Sequence, residues 1–232
     1  MPPRAAIEAG SFRQRSILHT LDDARRQLLL GRCESVSFRR GDLLYSEGSR
    51  HKATFLIESG LVRSYHTSSR GKELTIGYWS DGDIIGGPHW FDDTRKHVWS
   101  ARAAEDTEAY AVSGTDLKEL ALAVPEIGDA VLDALSFKCY WDSLLMQMLA
   151  TRSVSARLAS LLVKLAALHG EETIHGVAIS RRFNQDDLAS MVGATRQWVN
   201  MKLAEFERHG MVKMLDKRLM ITSLSRLKNV VN

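Results

Sequence analysis

Arg196, Gln197 and Asn200 fall within five residues of one another, at spacings that place them on one side of a helix, and each carries a side chain able to form directed hydrogen bonds to a base edge. A guanidinium donates two bonds to guanine, and a carboxamide pairs with adenine. Such side chains read sequence only if a helix presents them together. The residues before them supply that helix. Gln185 to Val192 reads as a short helix whose Leu188, Met191 and Val192 face inward, and Ala189 is small enough for a second helix to approach. Gly193 then gives the backbone freedom for a turn, and Thr195 stands where the next helix needs an N-cap. Val199, Leu203 and Trp198 provide the second helix with its apolar side. The pattern is a helix-turn-helix with base-reading side chains near the N-terminal end of its second helix. Lys202, counted with the DNA-facing residues, occupies a place that is usually apolar. Either its stem packs while the ammonium reaches out, or the helix is rotated.

Charge is unevenly placed. Residues 151–232 hold thirteen Lys or Arg against seven Asp or Glu, whereas residues 1–150 hold 18 against 21. A basic C-terminal part suits phosphate contact, and the slightly acidic remainder suits a sensor or regulatory domain. The 232 residues, 44% hydrophobic and 25% charged, are ordinary for a globular chain. No apolar run approaches the ~20 residues of a membrane span, and Arg4, Glu8, Arg13 and Arg15 leave no signal-peptide core. A cytoplasmic protein with no membrane partner is expected. Cys33 and Cys139, far apart, form neither a zinc cluster nor a disulfide framework, and both read as buried thiols.

The elements between the termini follow from periodicity. Residues 1 to about 32 read as a helical lead-in. Short β segments follow at 35–38, 43–45, 53–58, 61–66, 73–79 and 99–112, with Gly41, Gly48, Gly60, Gly71, Gly82, Gly86 and Gly87 between them. That alternation predicts an antiparallel roll. After Pro125 a helix of about twenty-five residues begins. Ile127, Ala130, Ala134, Phe137, Trp141, Leu144 and Met148 repeat at heptad spacing, and this seam is assigned to a dimer interface. A second stripe through Val131, Leu135, Cys139, Leu145 and Leu149 is expected to cover the β domain. Ser153 to His169 gives another helix with Gly170 as its C-cap, 177–183 a strand, and 211–221 a β-hairpin wing. Lys213, Lys217 and Arg218 of the wing are placed to touch phosphates. The fold class is α+β in three parts: 1–124 lead-in and roll, 125–150 central helix, and 151–232 winged helix-turn-helix.

This order resembles the bacterial transcription regulators typified by the cyclic-AMP receptor protein and the fumarate and nitrate reduction regulator. The resemblance runs from about residue 20 to 225. It is carried by Arg40-Gly-Asp42 with Glu47-Gly48, the 57–63 and Gly82-Asp-Ile-Ile-Gly86 stretches, Ser155-Ala-Arg157-Leu-Ala, and Gln185 to Val199 followed by Leu203 and Glu207. It implies a homodimer paired through the central helices, with two recognition helices on a two-fold symmetric double-stranded DNA site, recruiting or blocking RNA polymerase. By position, Arg196 matches the family's guanine-reading arginine, Gln197 an acidic base-reader and Met201 a second arginine. Only the first is retained, so a different site preference is implied.

The effector positions depart further. Where cyclic-nucleotide binders carry a glutamate and an Arg-Ser pair, this chain has Gly87, His97 and Val98, and where the central helix contacts adenine it has Asp142 followed by Ser143. A cyclic phosphate needs a cation and several donors, so cyclic AMP is not expected. Two cysteines cannot ligate an iron-sulfur cluster. The candidate pocket comprises Gly86, Gly87, His89, Trp90, His97, Val98, Asp142 and Ser143. His89 and His97 leave haem open, and the aromatics of 78–79, 88–91 and Trp99 suit either an apolar effector or plain filling of the roll. The effector stays unidentified, and no metal site is assigned. An enzyme is disfavoured, because no paired His and Glu ligands and no nucleophile with a base partner occur. The other alternative, a non-DNA-binding regulatory subunit of cyclic-nucleotide type, leaves the helix-turn-helix unexplained.

Overall fold

The computed structural model of the protein describes residues 17–179, 183–215 and 218–231, and these fall into two compact units, 17–142 and 143–231. The first begins with helices α1 (Ile17–Thr20) and α2 (Asp23–Leu30), the latter capped by Asp22, whose carboxylate accepts the Arg25 N–H at 2.9 Å. Eight strands follow: β1 (Glu34–Phe38), β2 (Leu43–Tyr45), β3 (Thr54–Ser59), β4 (Leu61–Thr67), β5 (Glu73–Ser80), β6 (Ile84–Ile85), β7 (Ser100–Ala103) and β8 (Thr107–Val112). They form two antiparallel sheets, ordered β1-β8-β3-β6 and β2-β7-β4-β5. The single expected strand at 99–112 is broken into β7 and β8, which belong to different sheets. The two-residue β6, too short to show a period, was not expected.

Helix α3 (Gly114–Ala123), also not anticipated, leads into α4 (Pro125–Thr151). Two apolar clusters fill the unit. Around Leu56, Ile84, Trp90 and Leu117 gather Ile127, Ala130, Val131 and Ala134 of α4. Around Tyr45, Phe55, Trp79 and Ile85 pack Phe137 and Trp141. The Trp141 indole donates to the Ile76 carbonyl at 2.7 Å, fixing α4 against β5.

This corrects the assignment of the α4 seam. Ile127, Ala130, Ala134, Phe137 and Trp141 cover the chain's own roll rather than a partner, while Leu144 is half-buried and Met148 buried. Heptad spacing marks an apolar helix face without saying what covers it, and a face of 3.6 period against a sheet satisfies the same residues. The side turned to solvent carries Leu132, Ser136, Cys139, Ser143, Met146 and Ala150, itself in heptad register. Leu132 is 60% and Met146 66% exposed. Cys139, expected to be buried, is exposed as well.

In the second unit α5 (Val154–His169) is capped by Ser153 and packs on α6 (Gln185–Val192) and α8 (Leu224–Val231). Gly170 does not close α5 in a left-handed turn. Its backbone is extended and begins β9 (Gly170–Thr173). With β10 (Gly176–Ile179), β11 (Val212–Leu215) and β12 (Arg218–Ile221), β9 makes a sheet ordered β11-β12-β10-β9.

Candidate nucleic-acid interface and effector region

Helix α6 is fixed at both ends. The Asn184 side chain accepts the Asp187 N–H at 2.9 Å, and the Asp187 carboxylate accepts the Asn184 N–H at 2.8 Å, a reciprocal cap. At the other end Gly193 adopts φ 67°, the left-handed conformation that costs a side chain most, and its N–H donates to the Ala189 carbonyl. The turn delivers Thr195, whose hydroxyl caps α7 (Arg196–Arg208) by accepting the Trp198 N–H at 3.2 Å. Leu188, Ala189, Met191 and Val192 of α6 and Val199, Leu203 and Phe206 of α7 are buried, which sets the rotation of α7 about its axis.

That rotation leaves Thr195, Arg196, Gln197, Asn200 and Met201 exposed together near the N-terminal end of α7. Two of them are held from α6: Arg196 lies 3.5 Å from the Asp186 carboxylate, and the Gln185 amide donates to Asn200 at 3.0 Å. Lys202 does not join them. Its side chain is largely covered, with the ammonium 2.7 Å from Glu205 and 5.8 Å above the Trp198 ring. The helix is not rotated. The stem packs, and the charge is answered within the helix, so Lys202 is removed from the DNA-facing set. In the wing, Lys213 and Arg218 are exposed on paired strands. Lys217 lies outside the described residues. The caps of α6 were legible in Asn184 and Asp187, three residues apart, but had not been singled out.

The effector residues are less united. Gly86 and Gly87 are buried beside His97, and a side chain at Gly86 would come within 3.0 Å of Thr54 and 3.3 Å of His51 Nε2. His97, 4% exposed, stacks on Tyr45 with 3.8 Å between ring centroids, and its Nδ1 has no hydrogen-bond partner. Burial, with His51 5.0 Å away, pushes its pKa down to about 4. His51, which sequence reasoning passed over, bonds Thr54 and Asp93 at 3.2 and 3.3 Å. Burial pushes its pKa down too, against the pull of Asp93. Burial would raise Asp93, but the backbone N–H groups of Gly114 and Thr115 at the start of α3, and His51, hold it below the ordinary carboxylate value. A histidine stacked on a tyrosine and wedged by a second histidine is a packed core group, and this geometry gives haem ligation by His97 no support.

The rest of the set separates. Trp90 is 2% exposed in the cluster beneath β3 and β6, and Val98 is 43% exposed. His89 is half-buried, while Asp142 and Ser143 are exposed on α4. Lys138 was missed. It follows Phe137 on the inward side of α4, with Nζ 3.2 Å above the Trp79 ring centroid. The residue type spoke for a surface position, and only the aromatic neighbours at 137 and 141 hinted otherwise.

Comparison with known proteins assigns both units. Residues 35–123 match the cyclic nucleotide-binding domain family, and residues 156–230 match the Crp-like helix-turn-helix domain family. The chain belongs to the CRP/FNR family of transcription regulators. Among its CRP/FNR relatives, the CRP-like cAMP-activated global transcriptional regulator of Mycobacterium tuberculosis is 25% identical over 194 residues, 84% of this chain and 86% of that one. Electron transport regulator A of Shewanella oneidensis is 23% identical over 185 residues, 79% and 72% of the two chains. A CooA mutant from Carboxydothermus hydrogenoformans shares the fold with TM-score 0.84 at 22% identity, over 95% of this chain and 98% of that one. This CRP/FNR protein thus carries a helix-turn-helix DNA-binding domain and a cyclic-nucleotide-binding-type β domain, as the order of its elements had implied. Among the described residues no helix is long and apolar enough to cross a membrane, and no group of three metal-ligating side chains forms.

Proposed function

We propose that the protein is a homodimeric regulator that reads a two-fold symmetric DNA site through Arg196, Gln197, Asn200 and Met201. The observation that carries this reading is the joint exposure of those four side chains, on a helix whose opposite face is sealed into the core. Thr195, Lys213 and Arg218 add backbone contacts, and Lys217 belongs with them by sequence. Arg196 selects guanine and Gln197 adenine, while Met201 offers apolar contact alone. Pairing uses the exposed side of α4, with Leu132, Cys139 and Met146 at successive heptad positions. RNA polymerase is the partner acted upon, as the family implies.

The β-roll unit acts as the sensor without cyclic AMP. Gly87, His97 and Val98 supply neither a carboxylate for a ribose nor a cation for a phosphate, which supports that view. Selection from a random duplex pool by the full-length protein without effector tests the whole reading. The expected product is a palindrome with half-sites about 34 Å apart, lost with Arg196→Ala and unmoved by cyclic AMP. Enrichment of no motif by the wild type, or of the same motif by Arg196→Ala, overturns it.

A further inference from the structure

Arg152, Ser160 and Lys164 bring positive charge and hydrogen-bond donors to one place along α5. The Arg152 guanidinium donates to the Ser160 hydroxyl at 2.6 Å, and Ser160 is only 6% exposed. Lys164 follows Ser160 by one helical turn on the same face, and Arg157 precedes it by three residues, so all three cations border that hydroxyl. Burial, with the Arg152 guanidinium nearby, pushes the Lys164 pKa down. Arg157 donates to the Leu149 carbonyl at 3.4 Å, and its Nε is sealed from solvent without an acceptor. Among the described residues neither Arg152 nor Arg157 enters an ion pair.

The surrounding chain supplies little negative charge to answer them. Between Asp142 and Glu171 there is no acidic residue. Helix α8, packed on α5, carries Arg226 and Lys228 and no acid. On α6, the other helix against α5, the Asp186 carboxylate lies by Arg196 and that of Asp187 accepts the Asn184 N–H. Like charges gathered at a half-covered place repel one another, and burial removes the water that would screen them. An anion set between them offsets both costs.

We propose that Arg152, Ser160 and Lys164 form a binding site for a small phosphorylated molecule along α5, with Arg157 adding charge beside it. The guanidinium offers a planar fork, the ammonium a point charge, and the Ser160 hydroxyl, already accepting from Arg152, keeps its own O–H to give. A phosphoryl group presents three acceptor oxygens to such a set and brings up to two charges, whereas a carboxylate brings one charge and two oxygens in a plane. A small ligand suits the place better than a duplex backbone. Ser160 is buried on the helix that packs against α6 and α8, and rotation of one exposed side chain, Arg152, uncovers it. The site belongs to the 143–231 unit, on a different helix from the exposed face of α7, and the inference rests on neither the DNA reading nor the sensor role of the roll.

The test is calorimetric titration of the full-length protein, without DNA, with pyrophosphate in a buffer free of phosphate and divalent ions. Wild type is expected to bind it saturably and to melt at a rising temperature as pyrophosphate is added. Arg152→Gln and Lys164→Gln should each weaken binding by about tenfold or more, and Ser160→Ala, a change that suits a helix, severalfold. Lys118→Gln, the same loss of charge at an exposed position of α3, should leave binding unchanged, and acetate at equal concentration should not displace pyrophosphate. Should Lys164→Gln not fold, Arg152→Gln and Ser160→Ala carry the test. Absence of saturable binding at millimolar pyrophosphate overturns the proposal. So does equal binding by wild type and Arg152→Gln, equal weakening by Lys118→Gln, or displacement by acetate. If Arg152→Gln lowers the salt slope of DNA affinity while pyrophosphate does not bind, the cluster is a DNA-backbone contact and the proposal falls.

Discussion

The Asp186 carboxylate and the Arg196 guanidinium lie 3.5 Å apart across the turn that joins α6 to α7. Both side chains are about two-thirds exposed, so the contact adds little to stability, and under the proposed reading its weight falls on recognition. It directs the guanidinium while placing an anion at a surface built to meet phosphates. Asp186→Asn is expected to tighten binding to random-sequence DNA by severalfold and to narrow the gap between specific and non-specific affinity. Fluorescence anisotropy against both kinds of duplex, at several salt concentrations, reads the two effects separately. A variant that weakens both equally would show that Asp186 only supports the fold.

Lysines on the two recognition elements should behave differently. Lys213→Ala removes an exposed wing charge and is expected to lower the slope of log affinity against log salt by about 1. Lys202→Ala is expected to leave that slope unchanged, because its ammonium is taken by Glu205. A fall in slope for Lys202→Ala would return it to the DNA-facing set.

The two sides of α4 give opposite phenotypes. Ile127→Ala, cut into the core around Leu56 and Trp90, is expected to destabilise the fold by about 2–5 kcal/mol in chemical denaturation without changing the assembly. Leu132→Glu combined with Met146→Glu should produce a folded monomer by light scattering, with loss of binding to a palindromic duplex. Monomers from the first change, or dimers persisting through the second, would reverse the faces.

Acid should loosen the β-roll unit before its carboxylates titrate. His97 is held neutral, with a pKa of about 4 against an ordinary 6.5, so the unfolded chain binds the proton more readily between those values. Stability contributed by the neutral ring is therefore complete above pH 6.5 and declines as the pH falls toward 4, by on the order of 3 kcal/mol. Asp92, Asp93 and Asp116, whose pKa values are depressed, add their losses only below the ordinary carboxylate value of 3.8. Melting curves of wild type and His97→Phe across this range should converge toward acid if His97 is responsible. Parallel curves would assign the loss elsewhere.

Local chemistry was readable where it was written in adjacent residues. Thr195 and Gly193 announced the α6–α7 turn because a cap and a left-handed backbone have few alternatives, and the strands between glycines followed from alternation. Long-range facts were not so encoded. The spacing of Ile127, Ala130 and Ala134 is equally that of a helix seam and of a helix laid on a sheet, and only the position of β3 and β6 decides between them. Trp90 and Val98 are eight residues apart in one loop, yet one is core and the other surface, and no period distinguishes them. Lys138 illustrates the same limit: a charged residue reads as solvent-facing until the rings around it are placed.

Val199, Leu203 and Phe206 hold α7 in the core, whereas Arg196, Gln197, Asn200 and Met201 bear no part of that packing. Under the proposed reading, descendants of this chain can exchange these four side chains, and with them the site preference, without forfeiting the fold. The set of genes answering to such a protein is free to drift faster than the architecture that displays it.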